Sequence, residues 1–250
     1  MRRSRSANAS RSATGVHSIA APRRPSVIEY CPCCFSADEE QALLAPVALR
    51  QLSVDVLRPY AFDVLLTVGD VDDFRYFLPR ILEVACTVGF DGPDLESLSG
   101  RLVRARWLDW PAAEQVAVRD VLAALWATTL AVFPSEPDVD TVLCAAGNAG
   151  EDLRPYLAAW MAEFRRPATS AHLLDLLLYG ARCTSAGWEL TNAFWGGKAE
   201  PVAAWLAGPE VRHAVADAFT VAEDEAVLQV LADVHDLLGW PGTPPIGTER

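Results

Sequence analysis

Apolar residues recur at helical spacing along most of this chain, and residues that favour helix ends stand in front of these runs. After Asp70, for example, Val71, Phe74, Leu78 and Ile81 share one face of a helix. Strict alternation of apolar and polar residues, which is typical of half-buried strands, is short wherever it occurs. The sequence therefore predicts an all-α fold of about ten helices, either an irregular multi-helix bundle or stacked helical hairpins.

Helix starts are the best-defined elements of this pattern. Ser36 and Glu39 have the spacing of a capping box in front of an apolar run, and Asp70 is placed to cap the next clear helix. Pro79 lies inside that helix and is expected to kink it or split it in two. Later helices are predicted over residues 153–164, 170–179, 188–194, 201–206, 210–219 and 223–238.

Composition changes sharply near residue 25. Residues 1–25 are rich in Ser, Arg and Ala and lack apolar periodicity, which predicts a disordered basic tail. With 250 residues, 51% of them apolar, the chain can bury the core of one large domain or of two small ones, and residues 26–240 are expected to form a single helical domain. Residues 241–250 are predicted to be a flexible C-terminal tail.

The charge of the chain is distributed unevenly. Residues 1–24 contain six arginines and no acidic residue. Because the net charge of the whole chain is −12, the remaining 226 residues carry a net charge of −18. A body with this negative charge repels phosphate backbones and anionic lipid, which argues against nucleic acid as the main partner and favours a protein partner. The apolar runs are shorter than the ~20 residues that span a bilayer, so we expect no membrane partner.

Three of the six cysteines, Cys86, Cys144 and Cys183, stand alone within apolar stretches. Such cysteines are typical of small core residues rather than of a disulfide framework. This usage predicts a reducing compartment, and we expect the protein to be cytoplasmic.

The other three cysteines lie together in the stretch Cys31-Pro32-Cys33-Cys34. Cys31 and Cys34 have the C-x-x-C spacing of half a tetrahedral zinc site, so they are the candidate metal ligands, with zinc as the candidate cofactor. A turn without a ligand and a redox pair are the alternatives, although the redox pair lacks the βαβ context of thioredoxin-type motifs. On spacing alone, Cys33 is expected to contribute much less than its two neighbours.

A second candidate site is aromatic. Trp188, Phe194 and Trp195 are followed by Gly196 and Gly197, and they could form the wall of an exposed binding groove. Ordinary packing of these side chains in the core is the alternative.

No dinucleotide-binding, Walker, nucleophile-elbow or kinase motif is present, so the sequence offers no catalytic residue. The main functional prediction is a cytoplasmic helical interaction or scaffold protein. The alternatives are a helical protein in which Cys31 and Cys34 hold zinc as a structural clip, and an enzyme of unrecognised type.

The cysteine pair, the stretch ADEEQALLAPVALRQLSVDVLRPYAFDVLLTVGDVDDFRYFLPRILE and the later DVDTVLCAAGNAGEDLRPYLAAW together resemble a family of helical bacterial proteins. The resemblance covers about residues 30–165, and residues 69–83 are its most specific part. A histidine often replaces Cys33 in that family, giving C-x-H-C, which implies a metal or thiol role for Cys31 and Cys34. The resemblance implies no activity, and the cysteine at position 33 leaves the third ligand unassigned.

Overall fold

The computed structural model describes residues 23–239. Within that range the protein has eleven α-helices and one small sheet, which confirms the predicted all-α class. Except for residues 23–25, the predicted tails over 1–25 and 241–250 lie outside the described residues. The helices are α1 (Ala37–Leu43), α2 (Val54–Asp63), α3 (Val71–Ala85), α4 (Leu95–Arg104), α5 (Ala112–Ala131), α6 (Val139–Asn148), α7 (Arg154–Ala162), α8 (Pro167–Asp175), α9 (Glu200–Ala207), α10 (Pro209–Val221) and α11 (Glu225–Gly239).

Two predicted helix starts have the expected capping interactions. At α1, the Ser36 hydroxyl accepts the backbone N–H of Glu39 at 3.3 Å, and the Glu39 carboxylate accepts the N–H of Ser36 at 2.8 Å. At α3, the Asp70 carboxylate accepts the N–H groups of Asp72 and Asp73 at 2.8 and 2.9 Å. These interactions satisfy N–H groups that have no partner inside their own helix.

Pro79 does not split its helix. It lies within α3, which is continuous from Val71 to Ala85, and its ring is buried. Proline removes only one backbone donor, and the buried apolar face of α3 extends on both sides of it. Packing of that face therefore maintains one helix where local sequence allowed two.

The described residues divide into two compact units, and the boundary crosses α5 between Leu125 and Trp126. The first unit contains residues 23–125 and 148–150. The indole N–H of Trp107, a fully buried side chain, donates to the backbone oxygen of Ala149 at 2.7 Å. The predicted single domain over 26–240 stays a prediction.

The second unit contains residues 126–147 and 151–239. Its core includes the rings of Trp126 and Trp160, which meet edge to face with centroids 5.5 Å apart. Their indole N–H groups donate to the backbone oxygens of Tyr156 and Thr169 at 2.9 and 3.1 Å. Each buried indole is thus both packed and hydrogen-bonded.

The predicted helix over 188–194 is wrong. Residues Gly187–Leu190 form strand β2, which pairs antiparallel with β1 (Ala181–Thr184), and a 3₁₀ turn follows over Ala193–Trp195. Arg182 faces Glu189 across the hairpin and pairs with it at 2.6 Å. Gly187, the first residue of β2, has φ of +122° directly after the two-residue connection. Cross-strand pairing and a glycine with positive φ at the start of β2 outweigh the local helical pattern here.

Among the described residues, no helix combines the length and the apolar character needed to cross a bilayer. The longest, α5, has 20 residues and includes charged side chains in its first half.

Candidate metal centre

The chain before α1 is held by backbone pairing with the connection between α2 and α3. The N–H of Cys31 donates to the oxygen of Thr67 at 2.9 Å, and the N–H of Gly69 donates to the oxygen of Glu29 at 2.8 Å. These two bonds fix residues 29–31 against residues 67–69 within the first unit. The cysteine stretch therefore begins from an ordered position.

A tight turn then reverses the chain. The backbone oxygen of Cys31 accepts the N–H groups of Cys34 and Phe35 at 3.0 and 3.1 Å. Phe35 is 2% exposed, and its ring meets the ring of Tyr30 with centroids 5.4 Å apart. The turn is thus held by a buried aromatic anchor immediately after the cysteines.

This turn brings three sulfur atoms together. The Sγ atoms of Cys31 and Cys33 are 2.8 Å apart, those of Cys33 and Cys34 are 3.5 Å apart, and all three lie within 4.8 Å of one another. All three residues are free thiols. The structure therefore brings together not only the predicted pair, Cys31 and Cys34, but also Cys33.

The separations can be compared with those of a thiolate metal site. Zinc–sulfur bonds of about 2.3 Å at tetrahedral angles place two sulfur atoms roughly 3.8 Å apart. Cys33 and Cys34 are close to that spacing, and Cys31 and Cys33 would have to separate by about 1 Å. Cys33 and Cys34 are exposed, so side-chain rotation alone can provide this adjustment.

The thiols also influence one another's ionisation. A hydrogen bond from the Cys33 thiol stabilises the Cys31 thiolate and lowers the pKa of Cys31. The same hydrogen bond and the one with Cys34, together with repulsion from both neighbours, raise the pKa of Cys33 to about 11. The Cys31 thiol therefore ionises before the Cys33 thiol, and a bound cation would have to displace the proton of Cys33.

Over residues 23–239, the remaining cysteines and histidines do not join this cluster. Burial raises the pKa of Cys86 to about 12, which keeps that thiol protonated. The Nε2 atom of His172 lies 2.8 Å from the backbone oxygen of Thr129, and burial lowers the pKa of this histidine. In the described part of the chain, the group of three or more Cys, His, Asp or Glu residues close enough to share an ion is Cys31, Cys33 and Cys34.

The three aromatic candidates have different environments. Trp195 is 3% exposed, and its indole N–H donates to Asp140 Oδ1 at 3.0 Å. Trp188 is half-buried on β2, and Phe194 is 42% exposed in the following 3₁₀ turn. A groove formed by these residues stays a prediction.

A shallow pocket of about 140 Å³ lies elsewhere in the second unit. Its lining includes Arg165 and Pro167 near the start of α8, and Glu223 and Asp224 between α10 and α11. Trp188, Phe194 and Trp195 do not line it, so it gives no support to the aromatic groove.

In comparisons with known proteins, no family model, no curated protein and no solved structure matches the chain. The resemblance to helical bacterial proteins with a C-x-x-C motif thus stays an expectation from sequence, and function has to be argued from the geometry of the cysteine cluster.

Proposed function

We propose that Cys31, Cys33 and Cys34 bind one zinc ion and that the ion acts as a structural clip for the N-terminal segment. The observation that carries this proposal is the convergence of three Sγ atoms within 4.8 Å. They converge on a turn whose first residue is itself fixed, through the Cys31 N–H, to Thr67.

The donor set selects the class of ion. Thiolates are soft ligands that prefer Zn²⁺, Cu⁺ and iron–sulfur clusters over Mg²⁺ or Ca²⁺. An iron–sulfur cluster takes four cysteines, one more than this group supplies. Zinc accepts three protein ligands with a fourth from elsewhere, so it fits the group best.

Binding of the ion would stabilise the turn over residues 31–34, which few contacts hold in the absence of an ion. The turn has the Phe35 anchor and the two backbone bonds to the 67–69 segment, but the side chains of Cys33 and Cys34 are exposed. An ion bound to all three sulfur atoms would link the two ends of the turn and favour the folded state. The clip is also compatible with a reducing cytoplasm, in which the thiols stay available for metal.

The direct test is the metal content of the full chain, purified with reductant and without chelator. We expect close to one equivalent of zinc per chain, measured together with copper and iron by plasma mass spectrometry. Cys31→Ser, Cys33→Ser and Cys34→Ser should each lower the zinc content strongly. For Cys33 this revises the expectation from spacing, because its Sγ lies only 2.8 Å from that of Cys31.

Cys183→Ser is the matched control. Cys183 forms no disulfide and lies in the second unit, outside the cluster, so its replacement should leave the zinc content unchanged. Metal-free wild-type protein with three titratable thiols at positions 31, 33 and 34 would refute the proposal and leave the stretch as a simple turn.

A helical interaction protein is the second candidate, and one surface feature favours it. Leu178 and Tyr179 are consecutive on the π-helical segment Leu176–Gly180 and are 51% and 76% exposed. Adjacent exposed apolar side chains are typical of contact surfaces. Replacing both with serine should weaken binding to a purified protein partner at least about tenfold without changing the helical content.

A further inference from the structure

The cysteine cluster differs from a closed structural zinc site in the number of its donors. Closed sites hold zinc with four protein ligands, whereas three ligands leave one position for water or another molecule. Within residues 23–239, the donor group contains three members. Cys33 and Cys34 are exposed, so a bound ion would face solvent on their side.

Four carboxylates lie within six residues of the cluster in sequence. Glu29 and Asp38 do not belong to the group of ligand atoms that lie within 4.8 Å of one another, and the other two are already engaged. Glu39 accepts the N–H and the hydroxyl of Ser36 in the capping box, at 2.8 and 2.7 Å. Glu40 accepts the N–H of Ile28 at 2.9 Å. If either carboxylate turned towards the ion, it would break bonds that hold α1 and the segment before it. Glu39 and Glu40 are therefore poor candidates for a fourth ligand, and Glu29 and Asp38 lie outside the group that the three sulfur atoms form.

From these observations we infer that the zinc ion of the proposed clip keeps an exchangeable fourth position, and that this position accepts a neutral imidazole nitrogen. The inference rests on the proposed function, since it concerns the ion bound by Cys31, Cys33 and Cys34. Imidazole is a common zinc ligand, and it replaces bound water without a change in net charge.

Charge selects imidazole over a further thiolate. Zn²⁺ with three thiolates carries −1, and a fourth thiolate would raise this to −2. Glu29 and Asp38 are exposed acidic residues on either side of the cluster in sequence, and residues 25–250 carry −18. An additional anion is repelled by this environment, whereas a neutral nitrogen donor is not.

Cobalt provides a direct test because Co²⁺ occupies zinc sites and its visible absorption reports the ligands. The full chain is loaded with one equivalent of Co²⁺ and titrated with imidazole, and in parallel with 2-mercaptoethanol at the same pH. We expect a saturable change in the d–d bands with imidazole, with cobalt retained after gel filtration. Half-saturation should need at least about tenfold more 2-mercaptoethanol than imidazole. Cys183→Ser protein should give the same imidazole response as the wild type.

The other possible results distinguish a failure of this inference from a failure of the proposed zinc site. If the protein holds cobalt but its spectrum does not respond to imidazole, the fourth position is closed and this inference is wrong while the clip survives. If loading with zinc or cobalt produces a dimer by light scattering, and imidazole has no effect, a second copy supplies the ligand and the inference is again wrong. If no ion binds, the proposed function fails and this inference fails with it.

Discussion

Gly69 lies where the segment that pairs with residues 29–31 turns into helix α3. Its φ is +67°, a left-handed conformation that glycine adopts without the penalty that a side chain would add. A Cβ atom here would lie 3.1 Å from the Tyr60 ring and hydroxyl and 3.3 Å from Cβ of Asp73. Tyr60 is fully buried and cannot easily move away. At this residue, backbone conformation and packing both require glycine.

Gly69→Ala should therefore destabilise the protein by about 1–3 kcal/mol, from the left-handed backbone together with crowding against Tyr60. Urea denaturation followed by circular dichroism measures the change. Gly100→Ala is the matched control: Gly100 lies inside α4, and a Cβ there would have no neighbouring atom within 4 Å. That variant should gain about 0.5–1 kcal/mol. Equal effects of the two substitutions would contradict the structural explanation.

Cys33 shows what spacing along the chain leaves out of a description of the cluster. Sequence spacing identified Cys31 and Cys34, because C-x-x-C is the familiar separation for two ligands of one ion. The position of Cys33 depends on the turn, in which the oxygen of Cys31 accepts the N–H groups of Cys34 and Phe35. Spacing along the chain does not specify that turn. It therefore does not show that the Sγ atom of Cys33 lies within hydrogen-bond distance of both the Cys31 and the Cys34 Sγ atoms.

At the scale of elements, helix starts were predicted well and the hairpin was not. The cap residues Ser36 and Asp70 act through bonds to residues two or three positions away, so their role is visible in a short stretch of sequence. Strand β2 depends instead on β1, a partner that the local pattern around Trp188 does not reveal. Local interactions are therefore predictable from sequence here, while pairing between segments is not.

The cap of α3 gives a prediction at this scale. Asp70→Ala removes a carboxylate that accepts two backbone N–H groups, so the protein should lose about 1 kcal/mol of stability. Asp94→Ala is the control, because Asp94 holds the same position at the start of α4 but makes no side-chain capping bond. Its replacement should change the free energy of unfolding by less than about 0.5 kcal/mol. A similar loss in both variants, measured by urea denaturation, would show that the capping bonds do not account for the effect.

At the scale of the whole molecule, the sequence correctly predicted the helical class, while it gives no sign of the two compact units. Helical periodicity and capping are repeated in most segments, so the class follows from many independent signals. The boundary between the two compact units falls within α5, between Leu125 and Trp126, where the helix is continuous. A boundary of this kind leaves no linker signal in the sequence, since linkers are recognised by proline, glycine and polar residues.

The proposed clip should influence the stability of the whole chain through mass action. An ion that binds the folded state and is present at about 100 times its Kd contributes about 2.7 kcal/mol. For a chain of this length that corresponds to a decrease in Tm of roughly 5–10 °C when the ion is removed. We expect this decrease when a zinc chelator is added to wild-type protein in differential scanning calorimetry, and recovery when excess zinc is restored.

The Cys31→Ser/Cys34→Ser double variant provides the control, because it lacks two of the three sulfur ligands and its Tm should not respond to the chelator. If the chelator lowered both melting temperatures equally, it would be acting on the protein in some other way. If the wild-type Tm did not change although zinc was removed, the ion would not stabilise the fold, and its role as a structural clip would be wrong.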